Sequence, residues 1–220
     1  MRERWTNAIH PLVVKMGDLD PSSLTWASLG LAIFSFYLLS QATGGASGSI
    51  WIIGGVLLIL IAGVLDALDG ALARHQGTDG PYGDFLDHTI DRVVDVGLLV
   101  AIGMNSSFVD EPSTGLIAGL MTLFGSYMGT QAQSVGLDRI YGGFSRADRM
   151  VITILGLVAA SWQAYSGTSG ISLDSMHWIM EILNLGNSEL NGMTFALAIS
   201  AWGGAYTFLV RFIKTRSQLL

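Results

Sequence analysis

The sequence predicts an all-α, polytopic membrane protein: six transmembrane helices plus an N-terminal amphipathic helix at the interface. Composition gives the first reason, since half of the 220 residues are hydrophobic and only 13% are charged, a balance typical of bilayer proteins. The apolar stretches give the second, each near the roughly 20 residues that cross about 30 Å of hydrocarbon. Third, the 28 glycines suit helices packing in lipid, where small residues let backbones approach closely. A single domain over 1–220 is expected, with residues 1–18 juxtamembrane and residues 23–216 forming the six-helix bundle.

The opening segment places Trp5, Ile9, Leu12, Val13 and Met16 at helical spacing opposite Arg2, Asn7 and Lys15. Such a helix lies along the membrane surface or packs on the bundle. No apolar core with a cleavage site follows Met1-Arg2-Glu3-Arg4-Trp5, so no signal peptide is expected. Asp20-Pro21-Ser22-Ser23 offers a turn and a helix start, and helix one runs from Ser23 to Gln41. Helix two covers Ile50–Arg74 and is apolar until Asp66. A turn-rich hairpin from His75 to Gly83 leads to helix three, Asp84–Met104, with Gly83 letting the chain turn in tightly. Helix four spans Thr114–Val135, helix five Arg149–Tyr165 and helix six Leu190–Phe212. Met176-His177-Trp178-Ile179-Met180 is too short to span and should cap or line the outer face.

The lysines and arginines fall at the termini, the 2–3 hairpin and the 4–5 loop, while the opposite loops hold none. By the positive-inside rule this end is cytoplasmic, as are both termini, in the cell membrane. The absence of cysteine excludes disulfides and thiolate ligands. The net charge of −6 is concentrated between Asp66 and Asp95, and no basic run of nucleic-acid type appears, so no nucleic-acid partner is expected.

Carboxylates in a transmembrane context are costly unless they pair, bind cations or face water. On helix two Asp66 and Asp69 are three apart, and on helix three Asp87 and Asp91 are four apart, so each pair projects from one face. Two facing pairs form an all-oxygen cage suited to two hard divalent cations, Mg2+ or Mn2+. Bare, the four would repel one another; two ions remove that conflict and neutralise a diphosphate. Gly70 and Ala73 lie beside these ligands, either clearing room for a nucleotide or packing helices closely. Arg74, one turn further, offers a fork of donors to a diphosphate oxygen or anchors the membrane edge. Asp84 reads as a helix N-terminal charge, Asp95 as a partner for Arg92 or a buried polar contact, and His88 points off the carboxylate stripe.

Asp66, Asp69, Gly70, Ala73, Arg74, Gly83, Asp87 and Asp91 make up the pattern D-x2-D-G-x2-A-R-x8-G-x3-D-x3-D. This resembles the signature of the CDP-alcohol phosphotransferase family, with every defining position filled. The resemblance implies a divalent-metal-dependent enzyme that transfers a phosphatidyl-type group from a CDP-lipid, CDP-diacylglycerol or CDP-archaeol, to a polar alcohol and releases CMP. By motif position it implies that Asp66, Asp69, Asp87 and Asp91 hold two ions, and that Asp91 is also the general base. Gly70, Ala73, Arg74 and Gly83 would lie against the CDP portion, and Thr25, in a Pro-x-x-x-Thr entry to helix one, would border the nucleotide. A homodimer is expected on the same ground.

Arg146 and Arg149, three apart at the start of helix five, resemble the paired arginines that bind acceptor phosphate in inositol-phosphate-using relatives; positive-inside anchoring explains them equally. Gly129 and Gln131 stand in helix four where that branch carries basic residues, leaving inositol phosphate, glycerol phosphate or an unphosphorylated alcohol such as serine open. The rival reading is a cation- or proton-coupled transporter using the Asp cluster, though neither internal repeats nor broken helices are evident.

Overall fold

The computed structural model describes residues 11, 13–138, 140–171, 181 and 189–220. Trp5, Ile9 and Leu12 of the expected amphipathic helix, Arg139, and the Met176–Met180 segment lie outside the described residues. Six long helices account for most of the rest, and no strand is present among the described residues.

Three of the six helices begin where a side chain accepts from their first unsatisfied N–H groups. Helix α1, Pro21–Gln41, is capped by the Asp20 carboxylate, which accepts from the Ser22 N–H at 3.1 Å, with Pro21 in the first turn. Helix α2, Gly45–Gln76, runs 32 residues, about 48 Å at 1.5 Å per residue. It therefore outlasts the hydrocarbon, and its last turns bring Asp66 and Asp69 toward the membrane edge. Gly77 ends it in the left-handed conformation, φ 68°, its N–H donating to the Ala73 carbonyl.

Helix α3, Pro81–Gly103, starts four residues later. Here the sequence expectation needs correction. The turn is made by Gly77 through Gly80, and Gly83 is the third residue of the helix, with open space where a side chain would go. Helix α4 is Ser113–Ser134. Helix α5, Arg146–Ser166, begins three residues before the expected start, because Ser145 and Asp148 form a reciprocal capping box that encloses Arg146 and Arg149 in the first turns. Helix α6, Gly192–Leu219, opens on a second capping box, Asn191 with Thr194.

Helix α1 packs against both α2 and α3; α2 leans on α5, α5 on α6, and α4 on α3 and α6. Among the described residues α2 and α3 meet only glancingly, as do α3 and α5. Leu39, Ile52, Leu98, Leu99, Ile102, Leu157 and Leu197 fill the interior. Where helices close most tightly, only hydrogen fits. A Cβ at Gly103 would lie 2.6 Å from the Gly115 Cα, and one at Gly156 would lie 2.4 Å from the Gly192 carbonyl oxygen.

At the end remote from the aspartates, fully buried Asn105 ties α1 to α3. Its Nδ2 donates to the Leu39 and Ala42 carbonyls at 2.6 and 2.9 Å, and its Oδ1 accepts from the Ser107 N–H. Apolar side chains such as Ile33, Phe34, Leu57, Ile61, Leu120 and Leu155 face outward, the surface a bilayer would cover. Helices α1, α2 and α6 are long and apolar enough to cross a membrane. Helix α3 is made more polar by Asp84, Asp87, Asp91, Arg92 and Asp95, and α5 by Arg146, Asp148 and Arg149. Of the expected apolar stripe, Val13 is buried against Leu24, Leu68 and Leu72 with Met16 packed on the same cluster, and the Gln76 amide donates to the Gly17 and Leu19 carbonyls. The chain entering α1 is thereby tied to the end of α2.

Candidate active site

The splay between α2 and α3 holds the chemistry. Helical spacing turns Asp66 and Asp69 off α2, and Asp87 and Asp91 off α3, toward the same space. The Asp66 and Asp87 carboxyls come within hydrogen-bonding reach, and Asp69 lies within electrostatic range of both Asp87 and Asp91. All four aspartates expected to act together are thus brought together. Asp69 is buried, and one oxygen accepts a 2.5 Å hydrogen bond from the Thr25 hydroxyl, a charge-assisted contact that orients the carboxylate. His88, set aside on spacing, proves nearer than expected: its Nδ1 is 3.5 Å from Asp87 Oδ2, and ligand atoms of Asp87, His88 and Asp91 lie within 4.8 Å of one another. It remains mostly exposed, with 65% of its side-chain surface accessible.

Two cavities adjoin this cluster. The first, about 510 Å³, is walled by Asp66, Asp69 and Asp87, and by Thr25, Gly70, Ala73, Arg74 and Gly83, the whole set expected around CDP. The Arg74 guanidinium folds back over Gly70, where an added Cβ would stand 3.3 Å from its Nη1. The second, about 950 Å³, is bordered by Asp91, Arg92, Arg146, Arg149 and Arg211 with Ser126, Gly129 and Thr130. Asp84, in the first turn of α3, borders both. Gln131 is exposed and outside the second cavity, while at Gly129 a Cβ would lie 3.0 Å from Arg211 Nη1. A guanidinium from α6 therefore covers the position where α4 lacks a basic residue, a contact no local spacing discloses.

Arg146 joins the cluster to the second cavity. Its Nη2 is 2.7 Å from Asp91 Oδ1, an ion pair not aligned as a hydrogen bond, and its Nη1 is 3.9 Å from Asp66. Its Nε donates to Asp95 Oδ1 at 3.0 Å, while buried Arg149 donates to Asp95 Oδ2 at 2.7 Å. Arg92 Nη2 is 3.6 Å from both Asp91 and Asp95, and its other terminal nitrogen donates to the Ser126 hydroxyl. Asp95 thus serves three arginines: Arg92, the partner that spacing offered, and two more, while being also the buried polar contact offered as the alternative.

Comparison with known proteins agrees with this arrangement. The family model described as CDP-alcohol phosphatidyltransferase matches residues 19–185, which include the entire acidic signature. An archaetidylinositol phosphate synthase of Methanothermobacter thermautotrophicus is 31% identical over 160 residues, covering 72% of this chain and 80% of its own. A phosphatidylinositol phosphate synthase of Cutibacterium acnes is 24% identical over 166 residues, 71% of this chain and 75% of the relative. The crystal structure of the Mycobacterium tuberculosis phosphatidylinositol phosphate synthase with CDP-DAG bound shares the fold, with a TM-score of 0.71 at 19% identity over 96% of this chain and 94% of that one. The structure of that synthase with manganese and citrate also aligns at a TM-score of 0.71, with 20% identity over 96% and 89% of the two chains.

Proposed function

Because the chain belongs to the CDP-alcohol phosphatidyltransferase family, we propose that it is a phospholipid synthase moving a phosphatidyl-type group from CDP-diacylglycerol or CDP-archaeol to a polyol phosphate, inositol phosphate or glycerol phosphate, with release of CMP. The observation that carries this reading is the meeting of two cavities at one carboxylate cluster. One is lined by the signature residues, the other by arginines.

The donor set fits divalent cations. Asp66, Asp69, Asp87 and Asp91 supply only hard oxygens from two facing helices, and the close approach of Asp66 to Asp87 is favourable when a cation lies between such groups. Two bound Mg2+ or Mn2+ ions would neutralise the diphosphate and stabilise departing CMP. The chain's own residues do the remainder. Gly70 and Ala73 leave room for the nucleotide, Arg74 offers its fork to a diphosphate oxygen, Gly83 borders the same space, and Thr25 orients Asp69. Arg146 and Arg149 hold the acceptor's phosphate. Asp91, on the acceptor side, takes the hydroxyl proton as the acceptor oxygen bonds to the lipid-side phosphorus. The phosphoanhydride P–O bond breaks with its electron pair leaving on CMP. Holding both substrates against one another supplies much of the rate.

Two relatives named for inositol phosphate products favour a phosphorylated acceptor over serine. Six crossings, both termini and the site on the cytoplasmic side of the cell membrane, and a homodimer complete the reading. The one-sided distribution of arginines and lysines supports the orientation. The cation-transporter alternative loses its basis with the family match.

In the test, purified protein receives CDP-diacylglycerol or CDP-archaeol with Mg2+ or Mn2+, and CMP is followed as inositol phosphate, glycerol phosphates and serine are added singly. CMP is expected only with an acceptor present and the metal unchelated. Silence across the whole panel, with cation flux into liposomes, would instead establish a transporter.

A further inference from the structure

The signature does not include Asp95, yet its side chain is completely inaccessible and its two oxygens are each engaged by a different arginine of α5. A carboxylate buried this deeply costs several kcal/mol unless its charge is compensated. Its location in the fold indicates what that compensation serves. Helices α3 and α5 are not closely packed on one another, so Arg146 and Arg149 reach Asp95 across a gap. That gap borders the second cavity, which both arginines line.

The manner of the contacts decides where the positive charge sits. Arg146 meets Asp95 through Nε, leaving its two terminal nitrogens for Asp91, 2.7 Å from Nη2, and Asp66, 3.9 Å from Nη1. Arg149 meets the second oxygen through one terminal nitrogen. The second cavity is lined by four arginines, Arg92, Arg146, Arg149 and Arg211, against two aspartates, Asp84 and Asp91, with Asp95 buried behind them and Asp66 at the edge of Arg146. Asp91 is also counted among the ligand-bearing aspartates. The wall therefore carries surplus positive charge, suited to an anionic group.

Building on the functional reading above, we propose that Asp95 is the positioning residue of the acceptor site. It fixes the guanidinium groups of Arg146 and Arg149 between the carboxylate cluster and the second cavity, so that a phosphate monoester on the acceptor meets donors already in place. The ordering of two long side chains is then completed on folding rather than at binding, which lowers the cost of acceptor capture. Asp95 touches neither substrate; it acts through the arginines.

A salt bridge that merely tied α3 to α5 would weaken every step together. A positioning role is selective. The experiment compares wild type with Asp95→Asn and Asp95→Glu in detergent micelles, using whichever of inositol phosphate or glycerol 3-phosphate yields CMP, with inorganic phosphate as a competing probe. For Asp95→Asn the acceptor KM and the phosphate inhibition constant should both rise about tenfold, the size expected when a charge-assisted contact is lost. The CDP-lipid KM should stay within about twofold by the same reasoning. In an Arg146→Gln/Arg149→Gln background, adding Asp95→Asn should cost nothing further.

Asp95→Glu keeps the charge on a longer stem and guards against a misfolded Asn variant; its acceptor KM should rise severalfold with the donor KM held. Equal rises in both KM values, an unchanged acceptor KM in either variant, or a full Asp95→Asn effect without the arginines would overturn the assignment. Failure of wild type to release CMP with any acceptor would instead overturn the functional reading on which it rests.

Discussion

Replacing Thr25 by valine removes one hydroxyl and leaves the volume nearly intact. That hydroxyl is buried and donates to Asp69 Oδ2 at 2.5 Å, across 44 residues of sequence. Hydrogen bonds to charged groups contribute roughly 1.5–3 kcal/mol, and groups that orient a metal ligand are worth about 10–100-fold in metal affinity. The two scales agree, since about 1.4 kcal/mol is tenfold. Manganese binding to substrate-free protein, followed by electron paramagnetic resonance, should therefore weaken about 10–100-fold in Thr25→Val. Thr25→Ser, which keeps the donor, should remain near wild type. CMP release at limiting manganese should fall in parallel and recover substantially at saturating metal. If a folded Thr25→Val protein binds manganese within twofold of wild type, the hydroxyl does not orient the ligand, and the account of α1 as a support for the cluster fails.

Asp91→Asn, which preserves shape while abolishing the base, should lower CMP release by at least about 100-fold even at saturating manganese, as measured by single-turnover assay. A rate within tenfold of wild type would move the base elsewhere. Gly156→Ala would set a methyl 2.4 Å from the Gly192 carbonyl and 2.8 Å from the Ala196 Cβ. Overpacking of this kind costs about 1–3 kcal/mol, and a lowered unfolding midpoint in micelles is the expected sign; an unchanged midpoint would contradict the close α5–α6 crossing.

The cluster of four aspartates was legible because its information is local. Spacings of three and four residues define a helix face wherever the helix is placed, and the short hairpin leaves the acidic ends of α2 and α3 side by side. Apart from Thr25, the residues expected along the first cavity came from the same segment. Asp95 was legible only in part: Arg92 lies three residues away, but its two other arginine partners lie 51 and 54 residues along the chain and meet it only because α5 lies across the cavity from α3. Arg211 over Gly129 is hidden for the same reason. The start of α5 was open to inference, since Ser145 with Asp148 at the third helical position is a capping box. The expected start at Arg149 lies three residues past the one this box defines. Gly83 shows the opposite error, a glycine read as a turn where Pro81 had already begun the helix.

Asn105 rivets the far ends of α1 and α3, whereas α2 and α3 are not closely packed on one another. Helix α3 is a lever held at that tip, with its aspartate end as the jaw. From Asn105 to Asp87 is 18 residues of chain, a lever of about 27 Å at helical rise. A tilt of only about 2° at the rivet swings the jaw by about 1 Å, a displacement sufficient to cost roughly 100-fold in rate. A substitution at Asn105, remote from the carboxylate cluster, would therefore mimic damage to the clustered aspartates themselves.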